Sequence, residues 1–569
     1  MRRLTVARVT AFMGVLTVWL TVEAPALSHG VEQARRGPVA EHAKAPAAAQ
    51  ASVAVQPEVR QLLAERGHAD VLVLLRDGVT DDRPGHVLSA AAGAAQGSVL
   101  ARLEGTDFAL RTQYDVLPLL AGTVGRTGLE ALARHPLVVA VEVDEVMRPA
   151  GVYAPAAAGA RGRSPALAEA LPVIGVDYVH RELGLRGNGV AVAVLDTGID
   201  NDHPDFAGRI VDQYCYSSSR SCAPSNIPEG PNAQDEAGHG TAVAGIVLSA
   251  GAQSPLGVAP EASLVAVRVF RDAGGAQTSD IIKGLDFVLR RQPQTGTRVV
   301  NMSLGAGSGR GVNCDSQNQS MKEAFQRLVN RRVAIFVATG NDGLTNAVAA
   351  PACISNSTAV GATYDGDYPT GGGFCPGQRN VTPLTIACFT NRGRAMDILA
   401  PGLFITTSAL GGGVTRPGAG TSYASPMAAG VAALMLQANP SLRPADVERH
   451  MIQTGVRVQH LENNDTFPLV DAKAAVLAAL GATPDAGTGT PPTQAPSPTP
   501  SPSATVVVDV TPTASPEPTA SATPSPDAPA PPTDVPQSPT ASPTRTPARP
   551  LPAGWVLHLP ALARSAGGG

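Results

Sequence analysis

The hydrophobic pattern marks out two regions of the chain. In the first, Asp70-Val-Leu-Val-Leu-Leu75 reads as a strand, His86 to Leu103 as a helix and Phe108 to Tyr114 as a second strand. Leu117 to Val124 then reads as a strand, Arg126 to Arg134 as a helix and Leu137 to Val143 as a last strand. This β-α-β-β-α-β order predicts a small ferredoxin-like α+β unit, although a generic small α+β module has the same pattern. The second region runs from about Leu171 to Leu480. Its strand candidates are Val190–Leu195, Leu264–Phe270, Arg298–Leu304, Val333–Ala338 and Met396–Leu399. They alternate with helix candidates Thr241–Leu248, Ser279–Arg291, Met321–Asn330, Ser422–Ala438 and Ala445–Thr454. Near-continuous apolar strands alternating with helices predict an α/β fold with a parallel central sheet flanked by helices. In such folds ligands bind at the carboxyl ends of the strands.

The pattern fails elsewhere, and composition says why. Residues 1–26 carry Arg2, Arg3 and Arg8, then a largely apolar run from Val9 to Val22, then Ala24-Pro25-Ala26, the layout of an export signal. The apolar run is shorter than the ~20 residues of a spanning helix, so no transmembrane anchor is expected. Residues 27 to about 60 are Ala-rich and polar, as a loose leader is, and 148–170 are rich in Ala, Gly, Arg and Pro, as a flexible, cleavable linker is. From 481 to 550 Pro, Thr, Ser and Ala dominate, and such a disordered segment cannot bury a core. The tail 551–569 holds one apolar patch, Trp555 to Pro560, which reads either as a sorting or cell-surface anchoring signal or as a frayed end.

The full 569 residues are too many for one ordinary domain. A net charge of −4 with no long basic run argues against a nucleic-acid partner. Hydrophobic content of 43% with only 4% aromatics implies a core of Ala, Val, Leu and Ile. Six cysteines, an even number in a chain that looks exported, suggest disulfides, and no C-x-x-C pair favours a metal instead. The expected pairing is Cys215–Cys222, Cys314–Cys353 and Cys375–Cys388.

Candidate chemistry centres on Gly418-Ala-Gly-Thr-Ser-Tyr-Ala-Ser-Pro-Met-Ala-Ala-Gly430, which runs into the apolar Val431 to Leu436. Pro426 fits an early helical turn, so Ser422 is expected at a helix N-terminus, where backbone N–H groups favour developing negative charge. A hydroxyl there suits nucleophilic attack if a base takes its proton, though Gly-Thr-Ser alone is also an ordinary turn and cap. Asp196 ends the strand Val190–Leu195, and His239 follows a polar loop and opens an apolar helix. Each alone is compatible with a structural role. Asn341 follows the strand Val333–Ala338 in Gly340-Asn-Asp-Gly343, a common turn by itself.

Together, Asp196-Thr-Gly-Ile-Asp200, Gly238-His-Gly-Thr241 and Gly420-Thr-Ser-Tyr-Ala-Ser-Pro426 resemble the motifs of the subtilisin-like serine peptidases, and their Asp, His, Ser order is that family's. The resemblance covers roughly residues 171–455. It implies catalysis by Asp196, His239 and Ser422, with Asn341 as oxyanion donor and Ser303, Leu304, Gly305 and Gly340 binding the substrate backbone. It further implies a secreted endopeptidase acting on proteins or peptides, without a cofactor for catalysis and as a monomer. The first patterned region resembles the inhibitor I9-like pro-domains that accompany these enzymes as intramolecular inhibitors.

The resulting layout is a signal peptide (1–26), a pro-domain (27–150, folded over about 69–146), a cleavable linker (151–170), a peptidase domain (171–480), a low-complexity linker (481–550) and a short tail (551–569). Ala242 and Met427 stand where many members carry histidines. Ala250 to Pro255 lacks the Asn-rich calcium loop of some members, which leaves Asp205 as a candidate ligand for a structural calcium. Asp342, beside Asn341, is expected at the rim of the primary pocket, where it would mildly favour Lys or Arg.

Rival readings fit less well. A nucleotide-dependent dehydrogenase needs G-x-G-x-x-G after a strand. An α/β-hydrolase needs G-x-S-x-G and the order Ser, acid, His, whereas Ala424 occupies the second Gly position here. A catalytically dead binding protein has no need of all four polar residues.

Overall fold

The computed structural model describes residues 52–481 apart from 80–82, 84, 151–166, 224–225, 271–274, 312, 416–417 and 460–464. The export signal, most of the expected linker 151–170, the low-complexity segment and the tail lie outside the described residues. The last residues of that linker open a helix, Leu167–Val173.

A ten-stranded sheet forms the centre. Its strands lie in the order Val456–Gln459, Thr466–Leu469, Ile398–Pro401, Thr358–Thr363, Ala334–Ala338, Thr297–Met302, Ala191–Asp196, Ser263–Arg268, Ile210–Tyr216 and Glu229–Gly230. All pairs are parallel except those at the two edges. Ala191–Asp196 is wholly buried, as a strand covered on both faces must be. The helix Thr421–Ala438 is buried along nearly its whole length, packing on the sheet on one side and on the helix His239–Leu248 on another. A helix apolar all round belongs in the core of a large domain. Disulfides join Cys215 to Cys222, Cys314 to Cys353 and Cys375 to Cys388.

The N-terminal unit is a separate five-stranded sheet with strands in the order Ala54–Val55, Val138–Val143, Ala69–Leu75, Leu119–Val124 and Phe108–Gln113. Gly85–Leu103 and Arg126–Ala133 are the two helices that alternate with its strands. The unit begins earlier than the hydrophobic pattern suggests. Pro57–Arg66 is a helix with Pro at its start and the left-handed Gly67 at its end, and it lies partly within the stretch read as a loose leader. Val59 is its only fully buried residue, and Val59, Leu62 and Leu63, at i, i+3 and i+4, form a short apolar stripe that the Ala-rich, polar stretch before it obscures.

This unit docks on two helices of the larger one through carboxylates aimed at backbone N–H groups. Glu142 accepts from the N–H groups of Gln319 and Ser320 (2.6 and 2.9 Å), at the start of the helix Gln319–Asn330. Asp144 accepts from Ser279 N–H and Oγ (2.8 and 2.7 Å), in the first turn of Thr278–Thr295. Helix starts leave N–H groups without intrahelical partners, and negative charge is favoured there. The reverse contact comes from Asp286, whose carboxylate accepts from the N–H groups of Asp115, Val116 and Leu117 (2.8, 3.0 and 2.8 Å). Gln96 holds that loop in shape by donating Nε2 to the carbonyls of Tyr114, Leu117 and Leu119.

Candidate active site

Asp196 is the last residue of a central strand, at the carboxyl edge of the parallel sheet. Its Oδ1 lies 2.7 Å from Nδ1 of His239, and both side chains are buried. A carboxylate at Nδ1 selects the tautomer with the proton on Nδ1 and leaves Nε2 as the basic nitrogen. Burial alone would lower the imidazole pKa, but the Asp196 charge, and Asp235 beyond it, raise it above the ordinary histidine value.

Asp235 also fixes where the histidine stands. It accepts from the N–H groups of Ala237, Gly238 and Thr241 and from Thr241 Oγ1, at 2.6–3.0 Å, and so caps the helix that His239 opens. Burial pushes the Asp235 carboxyl up, yet these hydrogen bonds hold it below the usual carboxylate range. Gly240 packs against the Asp196 turn so closely that a Cβ there would lie 2.2 Å from the Gly198 carbonyl oxygen.

Ser422 is the second residue of the helix Thr421–Ala438, and its Oγ is buried with no hydrogen-bond partner among the described residues. Pro426 sits one turn further along than an N-terminal proline would. Its missing N–H removes the bond that residue 426 would give to the Ser422 carbonyl. Ser303 Oγ donates to that carbonyl instead, at 2.8 Å. Ser303 in turn accepts from Asn301 Nδ2 (3.0 Å), and Asn301 Oδ1 accepts from Ser425 Oγ (2.7 Å). The proline thus ties the serine helix to the strand segment Asn301–Gly305.

Asn341 follows the strand Ala334–Ala338 and faces Ser422. Its Oδ1 accepts from Thr421 N–H and Oγ1 (2.9 and 3.0 Å), which turns Nδ2 toward the cleft. There Nδ2 donates to the carbonyl oxygen of Ala150, which also accepts from Ser422 N–H at 3.3 Å. Gly420 has φ +153° and makes room for this arrangement. A Cβ there would lie 2.9 Å from both the Ala150 oxygen and Ser422 Oγ.

Ala150 arrives on an extended segment of the N-terminal unit. The strand Val146–Pro149 lies antiparallel between Leu304–Arg310 and Ala276–Gln277. Leu304 pairs with Pro149 and Gly305 with Arg148, while Ala276 pairs with Met147 and Gln277 with Val146. Ala150 N–H donates to the Ser303 carbonyl at 2.9 Å. Ser303, Leu304 and Gly305 therefore bind an extended backbone here. Gly340 does not share that contact. It lies behind Asn341, its N–H bound to Thr421 Oγ1 and its carbonyl to Asn391 N–H. The carboxylate of Asp342 accepts from Asn391 Nδ2 at 2.9 Å.

Three participants carry no signal in the hydrophobic pattern: the second flanking strand Ala276–Gln277, Thr421 as the residue that orients Asn341, and Asp235 as the cap beneath His239. An acid followed six residues later by Thr across a Gly-His start is a weak capping cue for the last of these.

Asp205 does not suit calcium. Its carboxylate accepts from Gln253 N–H, Ser254 N–H, Ser254 Oγ and Ser408 Oγ at 2.6–3.1 Å, so hydrogens rather than lone pairs converge on it. Burial raises this carboxyl, but the hydrogen bonds outweigh it and keep it low. Among the described residues no group of three or more His, Cys, Asp or Glu side chains is placed to hold a metal ion.

Residues 187–479 match the subtilase family, peptidase S8. The chain is 31% identical over 386 residues to the alkaline elastase YaB of Bacillus sp. (strain YaB), an alignment covering 66% of this chain and 84% of that one. It is also 31% identical over 371 residues to subtilisin E of Bacillus subtilis (strain 168), covering 64% and 82%. A solved protease structure from Pseudoalteromonas arctica PAMC 21717 is 26% identical, with 54% of this chain and 98% of that chain covered and a TM-score of 0.43. The chain belongs to the subtilase family and is a subtilisin-like, serine-type endopeptidase.

Proposed function

We propose that the chain is a secreted endopeptidase that works through an acyl-enzyme on Ser422 and matures by cutting its own Ala150–Gly151 bond. The observation that carries this reading is the Ala150 carbonyl, held between Asn341 Nδ2 and Ser422 N–H on a strand paired like a substrate. Ser422 Oγ attacks that carbonyl carbon as His239 Nε2 takes its proton, and the oxygen becomes an oxyanion facing the same two donors. The C–N bond then breaks as His239 returns the proton to the departing amine of Gly151, and water hydrolyses the ester by the reverse order of steps. Asp196 keeps the imidazole in the required tautomer.

Attack within one chain is effectively unimolecular, so positioning supplies much of the acceleration. After the cut, the N-terminal unit still fills the cleft and acts as an inhibitor until it leaves. The export pattern of residues 1–26 and the three disulfides support an oxidising, extracellular destination.

The test is expression of wild type and Ser422→Ala in a protease-deficient host, with intact-mass analysis of both. Wild type should yield a mature chain beginning at Gly151, and a fluorophosphonate probe should label Ser422. Ser422→Ala should keep the uncut chain and take no label. Labelling at another residue, or a Ser422→Ala protein that matures at the wild-type rate, would overturn the proposal.

A further inference from the structure

We infer that Asn391 is a positioning residue for the oxyanion donor, acting through the backbone of the turn that carries Asn341. Asn391 is fully buried and lies in a different segment, Phe389 to Arg392, which runs beside the turn Gly340–Leu344. Its N–H donates to the Gly340 carbonyl (3.0 Å), its Oδ1 accepts from the N–H groups of Asp342 and Leu344 (2.9 and 3.0 Å), and its Nδ2 donates to the Asp342 carboxylate (2.9 Å). One side chain and its own N–H therefore hold the residues on both sides of Asn341. Backbone bonds on either side complete the brace, from Gly343 N–H to the Phe389 carbonyl and from Arg392 N–H to the Leu344 carbonyl, both 2.8 Å.

The brace is itself anchored to the central sheet. Thr390 Oγ1 donates to the Ala362 carbonyl and accepts from the Ala362 N–H, and Ala362 belongs to the strand Thr358–Thr363. On its other flank, Cys388 is bridged to Cys375. A Cβ at Gly340 would lie 2.4 Å from Asn391 Nδ2, so the close approach requires glycine at that position. Asn341 is thus gripped from two directions. Thr421 sets the plane of its amide, and Asn391 sets where its backbone stands. Oxyanion donors act only at short range and in alignment, so a displaced turn should raise the barrier while leaving the substrate strand Ser303–Gly305 in place.

This inference rests on Asn341 being the oxyanion donor, and a double-mutant cycle separates the two claims. With active sites counted by a phosphonate titrant, Asn391→Ala should lower kcat on a peptide substrate by roughly 10- to 100-fold, with KM changed by less than about twofold. In an Asn341→Ala background the same substitution should change kcat by less than about twofold, because the group it positions is already gone. Equal losses of kcat in both backgrounds would overturn the positioning role and leave Asn391 as a generally structural residue. An Asn341→Ala enzyme with wild-type kcat would overturn the oxyanion assignment and this inference together.

A second pair of variants guards against a misfolded alanine mutant. Asn391→Asp keeps both Oδ1 contacts but sets a carboxylate against that of Asp342, and kcat should fall. Adding Asp342→Asn restores a donor across the gap and should recover most of it. Loss that the second change does not restore would also overturn the inference.

Discussion

Beside the apolar packing of Leu72, Leu74 and Leu119 in one cluster with Met321 and Phe325, the N-terminal unit makes polar contacts with the peptidase unit of two chemically different kinds. In the cleft, Val146–Ala150 is held through its backbone, by strand pairing on both sides and by the two donors on the Ala150 oxygen, with the Met147 side chain also buried in the hydrophobic core. On the helices, side-chain carboxylates make the contact, with Glu142, Asp144 and Asp286 each matched to particular N–H groups. Backbone pairing reads shape and tolerates sequence, so the same cleft accepts a passing substrate. Carboxylates on helix starts and on a preformed loop are specific to one partner. Neutral hydrogen bonds contribute about 0.5–1.5 kcal/mol each and those to charged groups about 1.5–3, so the helix contacts are expected to decide how long the cut unit stays. On the proposed reading, the cleft decides what is cut and the helix face decides which unit inhibits.

The largest expected effect lies on the cleft side of that comparison. Asn341→Ala removes one of the two donors to the Ala150 oxygen and should slow both self-cleavage and turnover of added peptide by roughly 10²–10³-fold. The uncut chain should accumulate on a gel while the docked geometry persists. Self-cleavage at the wild-type rate with turnover still impaired would separate the two reactions and break the idea that the internal strand is handled as a substrate.

A smaller effect is expected on the helix side. Asp286→Ala leaves the N–H groups of Asp115, Val116 and Leu117 facing an apolar methyl group when docked. Unsatisfied buried groups cost about 1–3 kcal/mol, so release of the cut unit should quicken by roughly 10- to 100-fold. Lys283 keeps its bonds to the Gln113 carbonyl and to Asp115, which limits the loss. The measurement is the lag between self-cleavage and the appearance of activity. An unchanged lag, or an altered kcat once the unit has gone, would show that the helix contacts do not govern release.

Much of this comparison was legible in the sequence, and unevenly so. Asp196, His239 and Ser422 stand out because each sits where an apolar strand ends or a helix of small residues begins, a local signature. The strand Thr358–Thr363 lies in the middle of the sheet yet escapes the pattern, since Thr-Ala-Val-Gly-Ala-Thr offers only one large apolar residue. Arg298–Leu304 reads as one strand and is two, Thr297–Met302 and Leu304–Arg310, because the chain leaves the sheet at Ser303 to line the cleft. Thr421, Asn391 and Asp286 act by hydrogen bonds to segments far away in sequence, and no periodicity records such contacts. Ala276–Gln277 is two residues long, below what any pattern resolves. Sequence patterns expose what a residue does for its own element, and these residues serve another one.

The smallest expected effect is that of pH, and it acts in the same direction on both contacts. On the helix side, burial raises the Asp144 carboxyl to about 6, more than its bonds from Ser279 and the facing Arg111 lower it, and nearby Asp280 adds to the rise. Glu142 and Asp286 are raised by burial too. Once the unit has left, these carboxyls meet water and return toward ordinary values near 4. The docked state therefore binds protons more readily than the separated one. Its extra stability is complete below the ordinary carboxyl range and is lost as pH rises through about 6 for Asp144. On the cleft side, His239 must be neutral to accept the Ser422 proton, and its raised pKa means that cleavage quickens as pH rises through a value above the ordinary one for histidine. Release at pH 5 should be slower than at pH 8 by roughly threefold to tenfold, a modest change because several opposing charges are buried together. Cleaved protein brought to each pH and sampled for free N-terminal unit measures release without contribution from the chemistry. Faster release at pH 5 would mean that loss of the carboxylate hydrogen bonds, and not proton uptake into a buried site, governs the contact. Asp144→Asn should flatten whatever dependence is found if Asp144 is its main source.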